Sequence, residues 1–193
     1  VFLPPFREAV DAGCETLMPS HNDLNGIPCH GNKWLLNDLL RKEMGFKGII
    51  VSDWLDVERL NTFHKVVPTK DEAYLMGFEA GIDVHMHGPG FAESVLKALN
   101  EGRIDMKTID ERVAKILEMK FRLGLFENPF VNLKSIPKKV FTPEHRQTAL
   151  DMARRSIVLL KNENSLLPLQ KGRYKKIFVT GHNADNQSIL GDW

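Results

Sequence analysis

Cysteine is nearly missing from this chain: of 193 residues only Cys14 and Cys29 are cysteine, too few for a disulfide-built scaffold. The pair can bridge or stay reduced, so it does not fix a compartment. An excess of one charge is missing as well, since 26 Lys and Arg stand against 25 Asp and Glu for a net charge of +1. That balance leaves no electrostatic footprint for nucleic acid, an anionic membrane or a polyanionic substrate. No apolar run approaches the roughly 20 residues of a membrane-spanning helix. A phosphate-cradling GxGxxG is missing too; the turn Gly181-His182-Asn183-Ala184-Asp185 lacks its spacing and reads as a domain-packing turn. The chain starts at Val1 without a signal-peptide pattern and stops at Trp193, just after the first strand and loop of a new unit. It reads as a fragment cut inside two domains, for which a missing export signal carries no weight.

The most informative residues that are there run from Gly45 to Trp54, GFKGIIVSDW. Gly48-Ile49-Ile50-Val51 is short, apolar and β-branched, the pattern of a strand buried on both faces. It ends on Ser52-Asp53-Trp54, placing a carboxylate and a large aromatic at the strand's C-terminal end. In parallel α/β sheets and barrels that end is where sites are built. An indole beside an acid suits a sugar, whose apolar face packs on the ring while the acid works at the anomeric carbon.

Two further apolar segments, Glu15–Met18 and Gly81–Val84, flank this one, and the three end near Ser20, Asp53 and Met86, spaced 33 residues apart. Helix-like stretches lie between them. Lys33–Met44 carries Trp34, Leu35, Leu36, Leu39 and Leu40 on one stripe with Asn32 as its cap. Thr69 with Glu72 forms a capping box opening a helix that runs to about Ala80, where Gly81 ends it. A third helix runs from near Gly90 to Gly102. Strand and helix alternating in this way predict a parallel sheet with covering helices. Three such units cannot close a barrel, which needs eight strands and roughly 250 residues, so the chain is either a small open sheet or the tail of a barrel.

Further on, Thr108 with Glu111 opens a helix carrying Val113, Ile116, Leu117 and Phe121 and stopping at Gly124. Phe126–Lys139 mixes Pro, Asn and Lys without period and reads as a linker. Thr142-Pro143 starts another helix with Pro at its favoured first position. Ser156–Leu160 and Lys176–Thr180 read as strands of a second α/β domain.

These residues carry a family resemblance. Leu3-Pro4-Pro5-Phe6, MPSHNDLNGIPCHGNKWLLNDLLR (18–41), GFKGIIVSDW (45–54) and AGID (80–83) resemble the last third of the barrel of a family 3 glycoside hydrolase of the β-glucosidase type. ARRSIVLLKNENSLLPL (153–169) and GHNAD (181–185) resemble the start of that family's second, α/β-sandwich domain. The resemblance implies an α/β chain with three parts: the C-terminal portion of a (β/α)8 barrel over 1–124, a linker and helix over 125–155, and the start of the sandwich over 156–193. It implies a retaining exo-glycosidase acting on β-linked glucosides or related sugars, needing no cofactor, and commonly exported to the periplasm or beyond the cell. The Asp of the SDW motif maps onto Asp53 as nucleophile. The acid/base of two-domain members comes from beyond Trp193, and a sugar-holding Lys-His pair precedes Val1.

Each candidate has a plainer reading beside the functional one. Asp53 can cap the next helix, and to attack a sugar it must be ionised, with donors around it. Trp54 can be core or a wall of the sugar site; in the family the matching Trp shapes the aglycone side. Met18 and His21 end the neighbouring strand and should face the same cavity. In the family the residue at position 21 is often an aromatic such as Tyr, so His21 is a departure that touches the pH profile and the preferred sugar. His85-Met86-His87 with Asp83 invites a metal reading, but one short cluster is thin; bordering the sugar cleft suits these side chains, His85 among them, better, and Asp83 can be an internal hydrogen-bond anchor. Cys29 and His30 read as loop or cap residues, and Asn22-Asp23 and Asn25-Gly26 as loop builders. The rival readings are a β-N-acetylglucosaminidase or phosphorylase-type relative, a non-catalytic carbohydrate-binding module, and a phosphate-binding α/β protein.

Overall fold

In the computed structural model, which describes residues 2–186 and 188, the apolar run ending on Asp53 lies between its two expected neighbours. Strand β1 (Thr16–Leu17) pairs in parallel with β4 (Ile49–Ile50), Thr16 opposite Ile49 and Leu17 opposite Ile50. On the other side Val51 bridges Val84 in parallel, and Ser52 N–H donates to Val84 O at 2.8 Å. Parallel pairing without a hairpin requires a crossover between strands. The residues 34–43 and 56–80 supply those crossovers as helices. The α/β class expected from the sequence is therefore observed.

The chain separates into two compact units, Val1–Val131 and Asn132–Trp193. The first opens with α1 (Leu3–Asp11), its prolines in the first turn where their missing N–H groups are not needed. A hairpin of β2 (Asp23–Leu24) and β3 (Ile27–Pro28) follows. Its turn residues Asn25 and Gly26 both take positive φ, 54° and 80°, the conformation of tight hairpin turns that Asn-Gly favours.

The next helix, Trp34–Glu43, is π-helical, with i→i+5 bonds such as Met44 N–H to Leu39 O at 2.9 Å. Asn32 caps it through its side-chain oxygen on Leu35 N–H at 3.0 Å. The wider winding shifts the apolar stripe that an α-helix would present. Leu36, Leu39 and Leu40 are buried with Met44, Phe46, Ile50, Ala80 and Ile82, whereas Trp34 is 53% exposed instead of joining them.

Helix α2 (Asp56–Thr62) follows the strand end, and α3 (Lys70–Ala80) runs as expected, with Thr69 Oγ1 accepting from Glu72 N–H at 3.2 Å. Val57 and Leu60 of α2 pack on Ala73 and Tyr74 of α3 in a second apolar cluster. Helix α4 (Phe91–Asn100) lies inside its expected bounds. Helix α5 (Met106–Arg122) starts two residues before Thr108, because Asp105 is the cap: its Oδ1 accepts Thr108 N–H at 2.8 Å. The apolar stripe of α5 is uncovered, with Val113, Leu117 and Phe121 all exposed.

Asp83 ties the first unit together. Its side chain is fully buried and its Oδ2 accepts Ile50 N–H at 2.8 Å. Arg41 meets Oδ2 at 2.5 Å, while Arg112 and Lys115 meet Oδ1 at 2.8 and 3.1 Å. One carboxylate thus holds three cations and a strand amide. Burial pulls both the Arg41 guanidinium and the Lys115 ammonium below their ordinary values, and Asp83 opposes this in each case. The hydrogen-bond anchor is the reading of Asp83 that the geometry supports, and among the described residues it forms no metal-ligand group with His85 or His87.

In the second unit the expected linker contains a short helix, α6 (Ile136–Lys139), and α7 (Pro143–Ser156) follows with Thr142 as its cap. The runs 156–160 and 176–180 do not form strands. Leu160 and Phe178 are 92% and 87% exposed, and neither run pairs among the described residues. β-Propensity expresses itself through cross-strand packing, which these runs lack.

Candidate active site

The three parallel runs deliver their C-terminal ends to one edge of the first unit, and the expected site residues gather there. After Val51, Ser52 is fully buried and its Oγ accepts Met86 N–H at 2.8 Å, locking two adjacent strand ends together. Asp53 comes next, its side chain 27% exposed. Its Oδ1 accepts Trp54 N–H at 2.6 Å, and Oδ2 lies 3.1 Å from His21 Nε2. Leu55 then takes a left-handed conformation, φ 57°, unfavourable for a non-glycine residue by about 1–2 kcal/mol. It turns the chain sharply into α2, so that Asp53 stands at the corner.

Below Asp53 lies a buried polar layer. Asp53 N–H donates to His30 Nε2 at 3.0 Å. Asp56 Oδ2 is 2.6 Å from His21 Nδ1 and 3.6 Å from His30 Nδ1, and Arg59 donates to Asp56 Oδ1 at 2.6 Å. The side chains of His30 and Asp56 are 3% and 2% exposed, against 62% for His21. Gly31 lets the turn carrying His30 sit against α2 and α3. A Cβ there would come 2.7 Å from Met76 Cε and 3.3 Å from Leu60 Cδ2.

Because Nε2 accepts from Asp53, the proton of neutral His30 resides on Nδ1, facing Asp56. Burial holds His30 below its ordinary 6.5, with Asp56, Asp53 and the Ser20 backbone acting the other way and His21 adding to the lowering. The unfolded chain takes up a proton near pH 6.5 that the folded chain resists. The associated stability is therefore fully present above pH 6.5 and lost as pH falls below it. We expect the melting temperature to fall less between pH 7 and 5 in His30→Gln than in the unaltered protein. Equal falls in parallel scanning-calorimetry series would refute this.

Trp54 is 53% exposed, and the His87 imidazole stacks on it with ring centroids 3.6 Å apart and planes 9° apart. Met18 is exposed at the end of the neighbouring strand. Asp53, Trp54, His21 and Met18 therefore all belong to one edge. His85 is corrected. Its side chain is only 5% exposed, turned inward to stack on Phe91 and to meet Glu58 Oε2 at 3.2 Å. Strand alternation would put residues 85 and 87 on one face, but the chain leaves strand pairing after Val84, and the two rings part, His85 into the packed layer and His87 onto Trp54. Tyr74 completes that layer, its single hydroxyl hydrogen lying between Glu58 Oε1 at 3.1 Å and Pro89 O at 2.9 Å. Burial and the adjacent Glu58 push its phenol up to about 12.

Sequence reasoning missed His30 and Asp56 as members of this edge, whereas His87 lies beside Trp54 as its place after the third strand suggested. Only Asp56 leaves a local signal, an acid three residues after Asp53 at a helix start. His21, Asp53 and Asp56 also form the one group among the described residues able to offer a metal three ligands, their atoms within 4.8 Å of one another. Those atoms are already engaged with one another, His21 Nε2 meeting Asp53 Oδ2 at 3.1 Å and His21 Nδ1 meeting Asp56 Oδ2 at 2.6 Å.

Residues 1–119 match the model of the glycosyl hydrolase family 3 N-terminal domain, and residues 157–193 that of the family 3 C-terminal domain. The chain belongs to glycosyl hydrolase family 3. Within that family it is 41% identical over 195 residues to a beta-xylosidase of Formosa agariphila, covering 97% of this chain and 27% of that protein. It is 33% identical to a periplasmic beta-glucosidase of Salmonella typhimurium, covering 100% of this chain and 26% of that protein. Among solved structures, a beta-glucosidase of Listeria innocua superposes with a TM-score of 0.76 at 36% identity, over 88% of this chain and 24% of that one. That family member has been solved in complex with glucose. The chain spans about a quarter of the length of the curated family 3 relatives it matches.

Proposed function

We propose that this chain is part of a retaining exo-β-glycosidase that removes terminal β-linked glucose or xylose, with Asp53 as nucleophile. In this reading its three parallel runs are neighbouring strands of a (β/α)8 barrel occupying 1–124. Residues 125–155 are a linker and helix, and 156–193 begin the α/β-sandwich domain. The names of the relatives favour a β-glucoside or β-xyloside as substrate, and the Salmonella relative favours a periplasmic or secreted setting.

The observation that carries the assignment is the state of the Asp53 carboxylate. It is partly open at the strand edge, held on Oδ1 by Trp54 N–H and on Oδ2 by His21, beside an exposed indole. Asp53 attacks C1 from below while an acid protonates the glycosidic oxygen and the aglycone leaves. Water, deprotonated by the same second group, then cleaves the glycosyl ester, so the sugar departs with its original configuration. The Trp54–His87 stack offers an apolar surface to the sugar ring.

A retaining pair stands about 5 Å apart with one member carrying a proton. Asp56 is near enough but unsuited: it is buried and its oxygens are taken by Arg59 and His21. The acid is assigned, as the family resemblance implies, to a part of the complete protein outside these residues.

The test uses the full-length protein. Incubation with a 2-deoxy-2-fluoro-β-glucoside bearing a good leaving group should trap the glycosyl-enzyme, and peptide mass spectrometry should find the label on Asp53. A label on another acid, or no label with the matching xyloside also inert, would remove Asp53 from this role.

A further inference from the structure

Asp53 is met at two places by imidazoles that both face one buried carboxylate. From its main chain the path runs from Asp53 N–H to His30 Nε2 at 3.0 Å, then from His30 Nδ1 to Asp56 Oδ2 at 3.6 Å. From its side chain it runs from Asp53 Oδ2 to His21 Nε2 at 3.1 Å, then from His21 Nδ1 to the same Asp56 oxygen at 2.6 Å. Arg59 holds the other Asp56 oxygen. We propose that His30 is a positioning residue for the nucleophile: its Nε2 fixes the Asp53 main chain at the strand end, while its Nδ1 lies on the side of the Asp56 carboxylate. This rests on the assignment of Asp53 as nucleophile.

Three features separate this from ordinary core packing. The bond goes to the amide of the reacting residue itself, at the point where β4 has ended and sheet pairing no longer holds the chain. Leu55, two residues on, is left-handed, so Asp53 lies between an anchored strand and a reversed turn. His30 also lies 23 residues away in sequence, on a turn that Gly31 seats against α2 and α3, so the support comes from a separate and rigid part of the unit. A nucleophile gains rate from being held in a near-attack position, and a shift of about 1 Å costs on the order of 100-fold.

Two substitutions divide the ring's two functions in the full-length protein. In His30→Gln the side-chain carbonyl oxygen reaches the position of Nε2 and can accept from Asp53 N–H. In His30→Asn the shorter side chain ends near Nδ1 and leaves that amide without its acceptor. The reading is the first-order rate constant of inactivation by the 2-fluoro-β-glucoside, with its binding constant and the melting temperature measured alongside. We expect His30→Asn to slow glycosylation about 30-fold with binding nearly unchanged, and His30→Gln to stay within about threefold of the parent.

Equal slowing in both variants would mean that the ring only fills space, and no slowing in either would mean that the amide bond is idle; each overturns the proposal. If His30→Asn does not fold, a folded His30→Gln slowed more than about tenfold would overturn it, and retained rate would support it. The label in the parent protein separates the two hypotheses. A label on Asp53 with indistinguishable variants defeats the role of His30 alone, whereas a label elsewhere defeats both.

Discussion

Asn in place of Asp53 should lower kcat of the full-length protein on an aryl β-glucoside by about 10,000-fold or more, the scale seen when a covalent nucleophile is removed. The structure makes the loss chemical rather than architectural. Asn has the same shape, its carbonyl oxygen can keep the 2.6 Å bond from Trp54 N–H, and its amide can face His21. Melting temperature and near-ultraviolet dichroism should therefore stay close to those of the parent. A second variant adds a positive signal. In Asp53→Gly the vacated space should admit azide, which attacks C1 from the side that the carboxylate used and yields an α-glycosyl azide from an activated β-glucoside. NMR of the product identifies it. An Asp53→Asn enzyme within tenfold of the parent would refute the assignment, whatever the azide experiment gave.

The second large effect falls on stability. Asp83→Asn removes the only negative charge from a cluster holding Arg41, Arg112 and Lys115. Breaking a buried ion pair by deleting one partner costs about 3–5 kcal/mol, because the remaining charge stays in a poorly solvated place. Here three cations remain, and the Nε atoms of Arg41 and Arg112 are buried without a hydrogen-bond partner even before the change. The Asn oxygen can still accept from Ile50 N–H, so the strand bond itself need not be lost. We expect urea unfolding of the full-length protein to shift by an amount within that range. Hydrogen exchange should also speed up in peptides spanning 48–53 and 82–85. A shift below about 1 kcal/mol would show that water compensates the cations and that the cluster is not an anchor.

Much of this was legible in the residues. Alternation of apolar segments and helical stripes announced a parallel α/β arrangement because periodicity follows from backbone geometry alone. Asp53 and Trp54 could be named because the end of a parallel strand is a position as well as a sequence. The caps at Asn32, Thr69 and Thr142 were readable because they act within three residues of themselves. Where two local rules competed, sequence reading chose wrongly, as with Asp105 over Thr108 at the start of α5. It failed again for 156–160 and 176–180, where a strand depends on a neighbour and not on its own composition.

Local interactions, then, are what the sequence by itself determined: the class, the order of strands and helices, and the acid at the strand end. Tertiary structure alone brought His30 and Asp56 to that acid and set the contacts His21 makes there. His30 lies 23 positions before Asp53 and His21 lies 35 before Asp56, separations over which no periodicity or cap rule operates. That residue 87 and not residue 85 meets Trp54 was decided by packing, since His85 is drawn inward onto Phe91 and Glu58. Contacts of that kind form only when separate segments are packed together, so they are properties of the fold and not of any stretch of chain within it.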